Sequence, residues 1–158
     1  MSDTAPLDNP AELTRFIEAR YHARHRAELP EIVALAARVE QVHEGVPDVP
    51  QGLAVLLRKM VGDLEVHMKK EELILFPAIR RGASGLGAPI AVMRADHDDH
   101  GVEIGRIRAM TGGFTPPEGA CAKWRALCAR LTSFVSDFEE HVRLENEVLF
   151  PPFEAVDQ

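Results

Sequence analysis

The sequence predicts an all-α protein, an antiparallel up-down-up-down four-helix bundle with a pseudo-twofold internal repeat. Apolar residues recur at helical spacing in long segments, which short links rich in glycine and proline separate. The segment HMKKEELILFP at 67–77 returns as HVRLENEVLFP at 141–151. A second pair, YHARHRAEL at 21–29 and DHDDHGVEI at 96–104, shares the pattern H-x-x-H-x-x-E followed by an aliphatic residue. The offsets of 74 and 75 residues indicate one helical hairpin that occurs twice.

The first predicted helix begins at Pro10 and extends to Gly45. Asn9 is a suitable N-cap, Pro10 suits the first helical position, and Glu12 completes a capping box. Because a proline inside a helix lacks the N–H that its turn requires, we expect a kink at Pro30.

The second and third helices follow two links of different character. The link VPDVPQG precedes a helix at about residues 50–81, and the glycine-rich turn GASGLGAP precedes one at about 89–111. Apolar residues of the second helix share one face, as expected for a bundle member. They are Leu53, Leu57, Met60, Leu64 and Met68.

The last link, GGFTPPEGA, offers a second capping pattern through Thr115, Pro116 and Glu118. The fourth helix then extends to about Phe150, where two consecutive prolines are expected to end it. Its apolar residues also share a face. They are Trp124, Leu131, Val135, Phe138 and Val142.

The composition indicates one domain, which we place at residues 10–155 after a disordered N-terminus at 1–9. A formal charge of −7 argues against nucleic acid or an anionic membrane as a partner. No apolar run reaches the ~20 residues of a transmembrane helix, and MSDTAPLDNP does not resemble a secretory signal. We therefore expect a cytoplasmic protein. Its two cysteines, Cys121 and Cys128, would lie about 10 Å apart on one helix and stay reduced.

Two glutamates fall where an apolar side chain is expected. At about 100° per residue, Glu71 and Glu145 lie near the middle of the apolar arcs of the second and fourth helices. His67 and His141 lie about 40° to the same side of these glutamates. An unpaired carboxylate in a bundle core costs several kcal/mol or becomes neutral. Two inward His–Glu pairs therefore require an explanation.

One explanation is a structural hydrogen bond between imidazole and carboxylate one turn apart, and for a single pair it would suffice. Two pairs at matching positions, with inward histidines on both other helices, favour a metal site instead. A dication neutralises buried carboxylates and accepts neutral imidazoles as ligands. In H-x-x-x-E, one carboxylate can bridge two metals while the imidazole binds one. Four histidines and two glutamates suit a dinuclear iron centre.

Distance along the helices limits which other histidines can join the centre. His67 and Glu71 lie roughly 25–31 Å from the first interhelical turn. His22 and His25 lie about 30–35 Å from that turn on the first helix and so reach the same level. His43 lies only about 3 Å from the turn, and we interpret it as a helix-end or pocket histidine.

Periodicity alone leaves two choices open. His22 and His25 both fall within about 50° of the inward face of the first helix. The same holds for His97 and His100 on the third helix. Either member of each pair could therefore be the ligand.

Several stretches together resemble the hemerythrin-like domain of the Repair of Iron Centres family, across roughly residues 20–152. They are YHARHRAELPEIVALAARVEQVH, HMKKEELILFP, PIAVMRADHDDHG, FTPPEGACAKWRAL and HVRLENEVLFP. The resemblance implies a four-helix bundle holding two non-haem iron ions, bridged by an oxo group and by carboxylates. It implies His22, His67, His97 and His141 as ligands, with Glu71 and Glu145 as bridges. His25 and His100 would then support the ligands from outside or belong to the core.

The sequence also departs from that family. Full-length members carry an N-terminal domain with paired cysteines, whereas about nine residues precede the first helix here. Asp63 and Asp96 stand where the family commonly has glutamate. Classical oxygen-carrying hemerythrins use five histidines and a further H-x-x-x-H, whereas the third helix here offers H-x-x-H.

The resemblance implies a di-iron protein of nitrosative and oxidative stress defence, which helps repair iron–sulfur clusters by binding or reducing nitric oxide, by releasing iron, or both. Its partners would be a diatomic gas, nitric oxide or oxygen, and damaged iron–sulfur proteins. Whether it is an enzyme depends on whether nitric oxide is reduced. An alternative is a reversible oxygen or redox sensor without turnover, and a third reading is a metal-free structural bundle.

Overall fold

The computed structural model describes residues 4–154, and their regular structure is helical. Seven α-helices and three π-helical turns occur in these residues. The α-helices are α1 (Pro10–Ile17), α2 (Ala23–Val42), α3 (Leu53–Lys70), α4 (Phe76–Arg80), α5 (Gly87–Met110), α6 (Ala122–Arg143) and α7 (Pro151–Glu154). The π turns are Glu18–His22, Glu71–Leu75 and Leu144–Leu149.

These elements form the four bundle helices that the sequence predicts. The first π turn joins α1 to α2, the second joins α3 to α4, and the third continues α6, while α5 is regular throughout. The α2 helix packs against α3 and α6, and α3 also packs against α5. The first and second bundle helices are joined by a short link and pack together, as do the second and third, so each of these pairs is antiparallel. The predicted fold class is confirmed.

The first bundle helix continues through Pro30, which lies inside α2, and the kink expected there stays a prediction. An irregular segment lies earlier in this helix, at the π turn Glu18–His22, where the N–H of Ala23 donates to the carbonyl of Glu18. A π turn inserts one residue into a helix, and the sequence patterns used above do not predict it.

The cap predicted from Thr115, Pro116 and Glu118 is wrong, because α6 begins only at Ala122, with Cys121 as its N-cap. The link before it turns sharply, since Gly112, Gly113 and Phe114 have φ values of 58°, 71° and 62°. Gly119, with a φ of 80°, also takes a left-handed conformation, so no helix continues from Thr115 to Ala122.

The buried apolar residues form two clusters, one at each end of the bundle. The larger cluster surrounds the α2–α3 link and includes Ile32, Leu57 and Trp124. The smaller one lies at the opposite end and includes Ile17, Phe76, Ile90 and Phe150. The inward histidines and glutamates fall along the chain between these clusters, so the core contains a polar layer between two apolar ones.

The described residues include only part of the predicted N-terminal segment at 1–9 and end just before residue 155. Residues 4–9 are not helical, although Ala5 packs against the smaller apolar cluster, and Asn9 caps α1 by accepting from the N–H of Glu12. Residues 1–3 and 155–158, which belong to the predicted termini, lie outside the described residues. Among the described helices, we find none that combines the length and the apolar composition of a membrane span.

Candidate metal centre

Each π turn contains one of the predicted site residues. His22 is the last residue of the first turn, Glu71 is the first residue of the second, and Glu145 is the second residue of the third. A π turn widens the helix and shifts the direction of the adjacent side chains, and such turns occur frequently at functional sites. Here they bring residues from three bundle helices to one level.

The six side chains predicted as ligands meet in the polar layer of the core. All of them are buried, with His97 the most exposed at 4%. Two overlapping groups have one ligating atom per residue, all within 4.8 Å of one another. The His22–His141 position is formed by these two histidines with Glu71 and Glu145. The His67–His97 position is formed by the other two histidines with the same glutamates.

The two glutamates contact histidines of both positions. Oε1 of Glu71 lies 3.0 Å from Nε2 of His22 and 3.5 Å from Nε2 of His67. Oε2 of Glu145 lies 2.7 Å from Nε2 of His141, while its Oε1 lies 2.9 Å from Nε2 of His97. Each carboxylate therefore contacts one histidine of each position.

The donor atoms also show that the centre suits a cation. Within residues 4–154, several buried polar atoms have no hydrogen-bond partner, and four of them belong to this set. They are Nε2 of His67, Nε2 of His97, Oε2 of Glu71 and Oε1 of Glu145. A buried polar atom without a partner costs about 1–3 kcal/mol. Coordination to a cation would supply the missing partner, so the residues present fit a dinuclear metal group.

The histidine rings have a common orientation. Each ring directs Nε2 at the carboxylates and Nδ1 at an outer partner. The Nδ1 contacts are His22 with Glu72 at 2.8 Å, His67 with Asp96 at 3.0 Å, His97 with Asn146 at 2.8 Å, and His141 with His25 at 3.1 Å. Such outer contacts fix the tautomer and the ring direction of metal-binding histidines.

Two arginines each hold one of these outer partners, Glu72 or Asn146, in place. Arg26 donates from Nη1 and Nη2 to the two oxygens of Glu72, at 2.7 Å and 2.9 Å. Arg94 donates to the backbone carbonyl of Asn146 at 2.8 Å and binds Glu154 through two hydrogen bonds. The orientation of the ligands therefore depends on contacts that reach the surface.

The Leu-Phe-Pro ending of the repeated segment supplies an aromatic wall to each half. Phe76 stacks on the ring of His22, with centroids 5.7 Å apart and an interplanar angle of 12°. Phe150 stacks on His97 in the same way, at 6.0 Å and 7°. Both phenylalanines are fully buried, so each closes one side of the centre and excludes water there.

Burial determines the charge state of the centre. Burial, assisted by His141, lowers the pKa of His22 to about 4, and burial also lowers the pKa of His67 to about 4. For His97, burial is outweighed by the negative charge of the adjacent Glu145 carboxylate, and its pKa is raised. The neutral imidazoles of His22 and His67 are the form that binds metal.

The two carboxylates shift in opposite directions. Burial and the negative charge of Glu145 raise the pKa of Glu71 well above its usual value. For Glu145, burial favours the neutral form, yet His141 and hydrogen bonds from its neighbours lower its pKa well below the usual value. Without a cation, the Glu71–Glu145 pair therefore holds one proton, because two negative carboxylates buried side by side repel each other.

The remaining histidines occupy different places. His43 is the C-cap of α2, where its Nδ1 contacts the carbonyl of Val39 at 2.8 Å and its ring lies 5.0 Å from that of Trp124. It is at the helix end, as distance along the helix predicts. His25 and His100 are buried outside the two metal groups, so the structure distinguishes the members of each H-x-x-H pair. The cysteines are both free, Cys121 exposed and Cys128 buried.

Sequence reasoning did not identify Glu72 and Asn146 as partners of the ligands. The sequence does contain one indication of this role. Both residues directly follow the inward glutamate of the repeated segment and so occupy equivalent positions. On a helical wheel both residues lie beside the inward face. A side chain at such a position can point to solvent or support a metal ligand, and the spacing of the residues does not decide between the two.

Fold and site define a histidine- and carboxylate-rich helical bundle built to bind cations. Residues 17–153 match the Hemerythrin HHE cation binding domain, and the chain belongs to this family. The resemblance to a hemerythrin-like domain is thereby confirmed. Family membership implies that the chain binds iron through this domain.

Named relatives give a narrower comparison. The chain is 48% identical over 147 residues to the Iron-sulfur cluster repair protein YtfE of Yersinia pseudotuberculosis (strain IP 31758). The protein of the same name from Yersinia pestis (strain Pestoides F) shows the same identity over the same length. The matched segment covers 92% of this chain and 65% of each relative, so the chain spans about two thirds of the length of these relatives.

Proposed function

We propose that this chain is a di-iron protein of nitrosative and oxidative stress defence that helps repair iron–sulfur clusters. It would do so in the cytoplasm by binding or reducing nitric oxide, by releasing iron, or both. The relatives that are 48% identical carry the name of iron–sulfur cluster repair proteins. The observation that supports the di-iron centre is the buried set of four imidazoles and two carboxylates, in which both carboxylates contact both metal positions.

The proposed iron ligands are the six residues of the two metal positions. His22 and His141 would hold one iron, and His67 and His97 the other, with Glu71 and Glu145 as bridges. When bound, the iron pair supplies a redox-active site at which a diatomic gas such as nitric oxide can bind. Two imidazoles and two shared carboxylates leave each ion fewer protein ligands than the six of octahedral coordination, so room for such a gas is expected.

The protein residues have defined tasks in this proposal. The carboxylates of Glu71 and Glu145 balance the positive charge of the cations and hold them together. The outer partners keep the proton of each imidazole on Nδ1, which leaves Nε2 free to coordinate. Phe76 and Phe150 cover the rings of His22 and His97 and limit access of water. Damaged iron–sulfur proteins are the proposed macromolecular partners.

The test begins with the amount of iron in the purified chain after anaerobic reconstitution. We expect two irons per chain, with Mössbauer spectra of an exchange-coupled pair. His67→Ala and Glu145→Ala should lower the iron content, whereas Asp98→Ala, an exposed neighbour of the site, should not. If both site variants keep two irons and an unchanged spectrum, the assignment of the ligands is wrong.

The second stage tests repair. The reduced chain should restore the activity of a [4Fe–4S] protein that nitric oxide has inactivated, and it should consume nitric oxide if the gas is reduced. Nitrous oxide production would identify reduction, and transfer of labelled iron to the client would identify iron release. Reversible binding of oxygen or nitric oxide with neither consumption nor repair would favour the sensor instead.

A further inference from the structure

The internal repeat is broken at two places next to the metal centre. Tyr21 and Asp96 are equivalent, because each directly precedes the first histidine of an H-x-x-H pair. Glu72 and Asn146 are equivalent, because each directly follows an inward glutamate. The four metal-facing histidines are retained in both halves. The two halves therefore offer similar ligands but different surroundings.

The His22–His141 position is enclosed. Tyr21, which is 5% exposed, stacks on the ring of His141 with centroids 5.6 Å apart and an interplanar angle of 15°. His25 also packs against His141, with ring centroids 5.3 Å apart. The cavity next to His25 has a volume of about 10 Å³, which is room for one water molecule at most.

The His67–His97 position lies between two open grooves. One groove, of about 650 Å³, separates α5 from α6 and is lined by His97 and Asn146. Gly101 and Gly105 form part of its wall, and a Cβ at either residue would meet no atom within 4 Å. This groove therefore leads from solvent to one histidine of the position.

The second groove reaches the other histidine indirectly. It has a volume of about 490 Å³, lies between α3 and α5, and is lined by Asp96 and His100. The side chain of Asp96 is 25% exposed, and it contacts Nδ1 of His67 at 3.0 Å. Where Tyr21 covers a histidine in one half of the repeat, Asp96 connects the equivalent histidine to solvent in the other.

The second histidines of the two H-x-x-H pairs, His25 and His100, also have different contacts. His25 contacts Nδ1 of His141 at 3.1 Å. Its equivalent, His100, has no hydrogen bond at either ring nitrogen and meets the ring of His67 edge-on, at 5.5 Å between centroids. The partly exposed Asp96 therefore takes the place at Nδ1 of His67 that the buried His25 takes at Nδ1 of His141.

We propose that the two metal positions have different roles, with the His67–His97 position holding the iron that exchanges with solution and the His22–His141 position retaining its iron. This proposal rests on the di-iron function proposed above and specifies which position would release iron. Exchange requires that water or another ligand reach the cation and that a histidine leave it. The grooves beside the His67–His97 position provide this access, whereas Tyr21 covers the other position.

The experiment measures iron release from the chain loaded anaerobically with two ferrous ions. An excess of a chromogenic ferrous chelator is added, and the absorbance is followed in a stopped-flow instrument. We expect two phases of one iron each, with rates that differ at least tenfold. Gly101→Phe should fill the groove beside His97 without removing a contact to any ligand, so it should slow the fast phase alone. Tyr21→Asp should uncover His141 and accelerate the slow phase alone.

Matched controls separate access from general disturbance. Asp98→Phe introduces the same side chain at an exposed position of α5 and should leave both rates unchanged. Tyr21→Phe keeps the stacked ring and should also leave both rates unchanged. Circular dichroism and thermal melting check that each variant folds.

Two nearly isosteric variants test the proposal if larger changes prevent folding. Asn146→Asp places a carboxylate at Nδ1 of His97, strengthens this ligand and should slow the fast phase. Glu72→Gln weakens the support of His22 and should accelerate the slow phase. Opposite assignments of the phases to the variants would overturn the proposal.

The outcome also distinguishes this proposal from the one on which it rests. Two irons released in a single phase would overturn the division of roles and leave the di-iron centre in place. Fewer than two irons per chain before the chelator is added would overturn both proposals.

Discussion

His141 directs its Nδ1 at Nε2 of His25, 3.1 Å away, inside the core of the bundle. Both rings are buried, and burial, assisted by His141, lowers the pKa of His25 to about 2. His25 is therefore neutral and can accept the Nδ1 proton of His141 at Nε2. That arrangement leaves Nε2 of His141 free for a cation. The second histidine of the first H-x-x-H pair thus supports a ligand that belongs to another helix.

Replacement of His25 should weaken iron binding without removing a ligand. We expect His25→Leu to lower the affinity for one of the two irons by about 10–100-fold, because His141 loses the acceptor that fixes its tautomer. His25→Gln should recover part of this loss, since its amide oxygen can accept the same proton. Competition with a calibrated chelator measures the affinity. An equal affinity in all three proteins would show that the contact does not orient His141.

The repeated H-x-x-x-E segments were sufficient to predict the bundle and four of the six residues that the structure gathers at its centre, namely His67, Glu71, His141 and Glu145. These glutamates were informative because an acid is unusual at a core position, and here one occurs in each half of the repeat. Periodicity could not separate His22 from His25, because both lie near the inward face, and the family resemblance made that choice. In the structure, Nε2 of His22 lies 3.0 Å from Glu71, whereas His25 contacts His141.

The start of α6 was predicted several residues too early. Gly119 has a φ of 80°, and this left-handed conformation interrupts any helix between Thr115 and Ala122. Supporting residues such as Asn146 were missed because their role depends on a contact between helices.

The histidine at the end of α2 should have no role in iron binding. His43 contacts Val39 and Trp124 at the opposite end of the larger apolar cluster from the metal centre. We expect His43→Leu to keep the iron content and both release rates of the unmodified chain, with a change in stability of about 1 kcal/mol or less. Iron analysis and thermal melting measure the two effects. A loss of iron in this variant would contradict the distance argument that excludes His43.

Neutralising Glu71 should have opposite effects on the metal-free and iron-loaded chains. The pKa of Glu71 is raised by burial and by Glu145, so the folded state holds its proton more tightly than the unfolded state does. This contribution to stability is complete below the ordinary carboxyl pKa and is lost as the pH rises toward the raised value. Glu71→Gln should therefore stabilise the metal-free chain at neutral pH and have little effect at pH 4.

In the iron-loaded chain, the same substitution should be unfavourable. Glu71→Gln removes a carboxylate that contacts both metal positions, and we expect it to lower the binding of both irons. His67→Ala, by contrast, should reduce mainly the iron of its own position. Melting curves of the metal-free proteins at pH 4 and pH 7, together with iron analysis, test the two halves separately. A metal-free Glu71→Gln chain that melts lower at pH 7 than the unmodified chain would refute the buried-charge argument.

Acidification should release the two irons in sequence. A proton on a ligand of the metal-free chain must be displaced by the cation, so the apparent affinity falls once the pH drops below the pKa of that ligand. The pKa of His22 is lowered to about 4, so this histidine does not compete for protons at pH 5.5. The pKa of His97 is raised above its ordinary value of 6.5, because the negative charge of the adjacent Glu145 carboxylate outweighs burial. At pH 5.5, protonation of His97 should weaken its position by about tenfold or more.

The glutamates are shared by both positions, so their protonation affects both and does not change the order. We expect the iron content at equilibrium with a fixed chelator to fall from two toward one per chain between pH 7.5 and pH 5.5. The second iron should be lost at a lower pH than the first, because His22 accepts a proton only near pH 4. Asn146→Ala, which removes a contact that raises the pKa of His97, should shift the first step to lower pH. Simultaneous loss of both irons, or a constant content down to pH 5.5, would contradict this order.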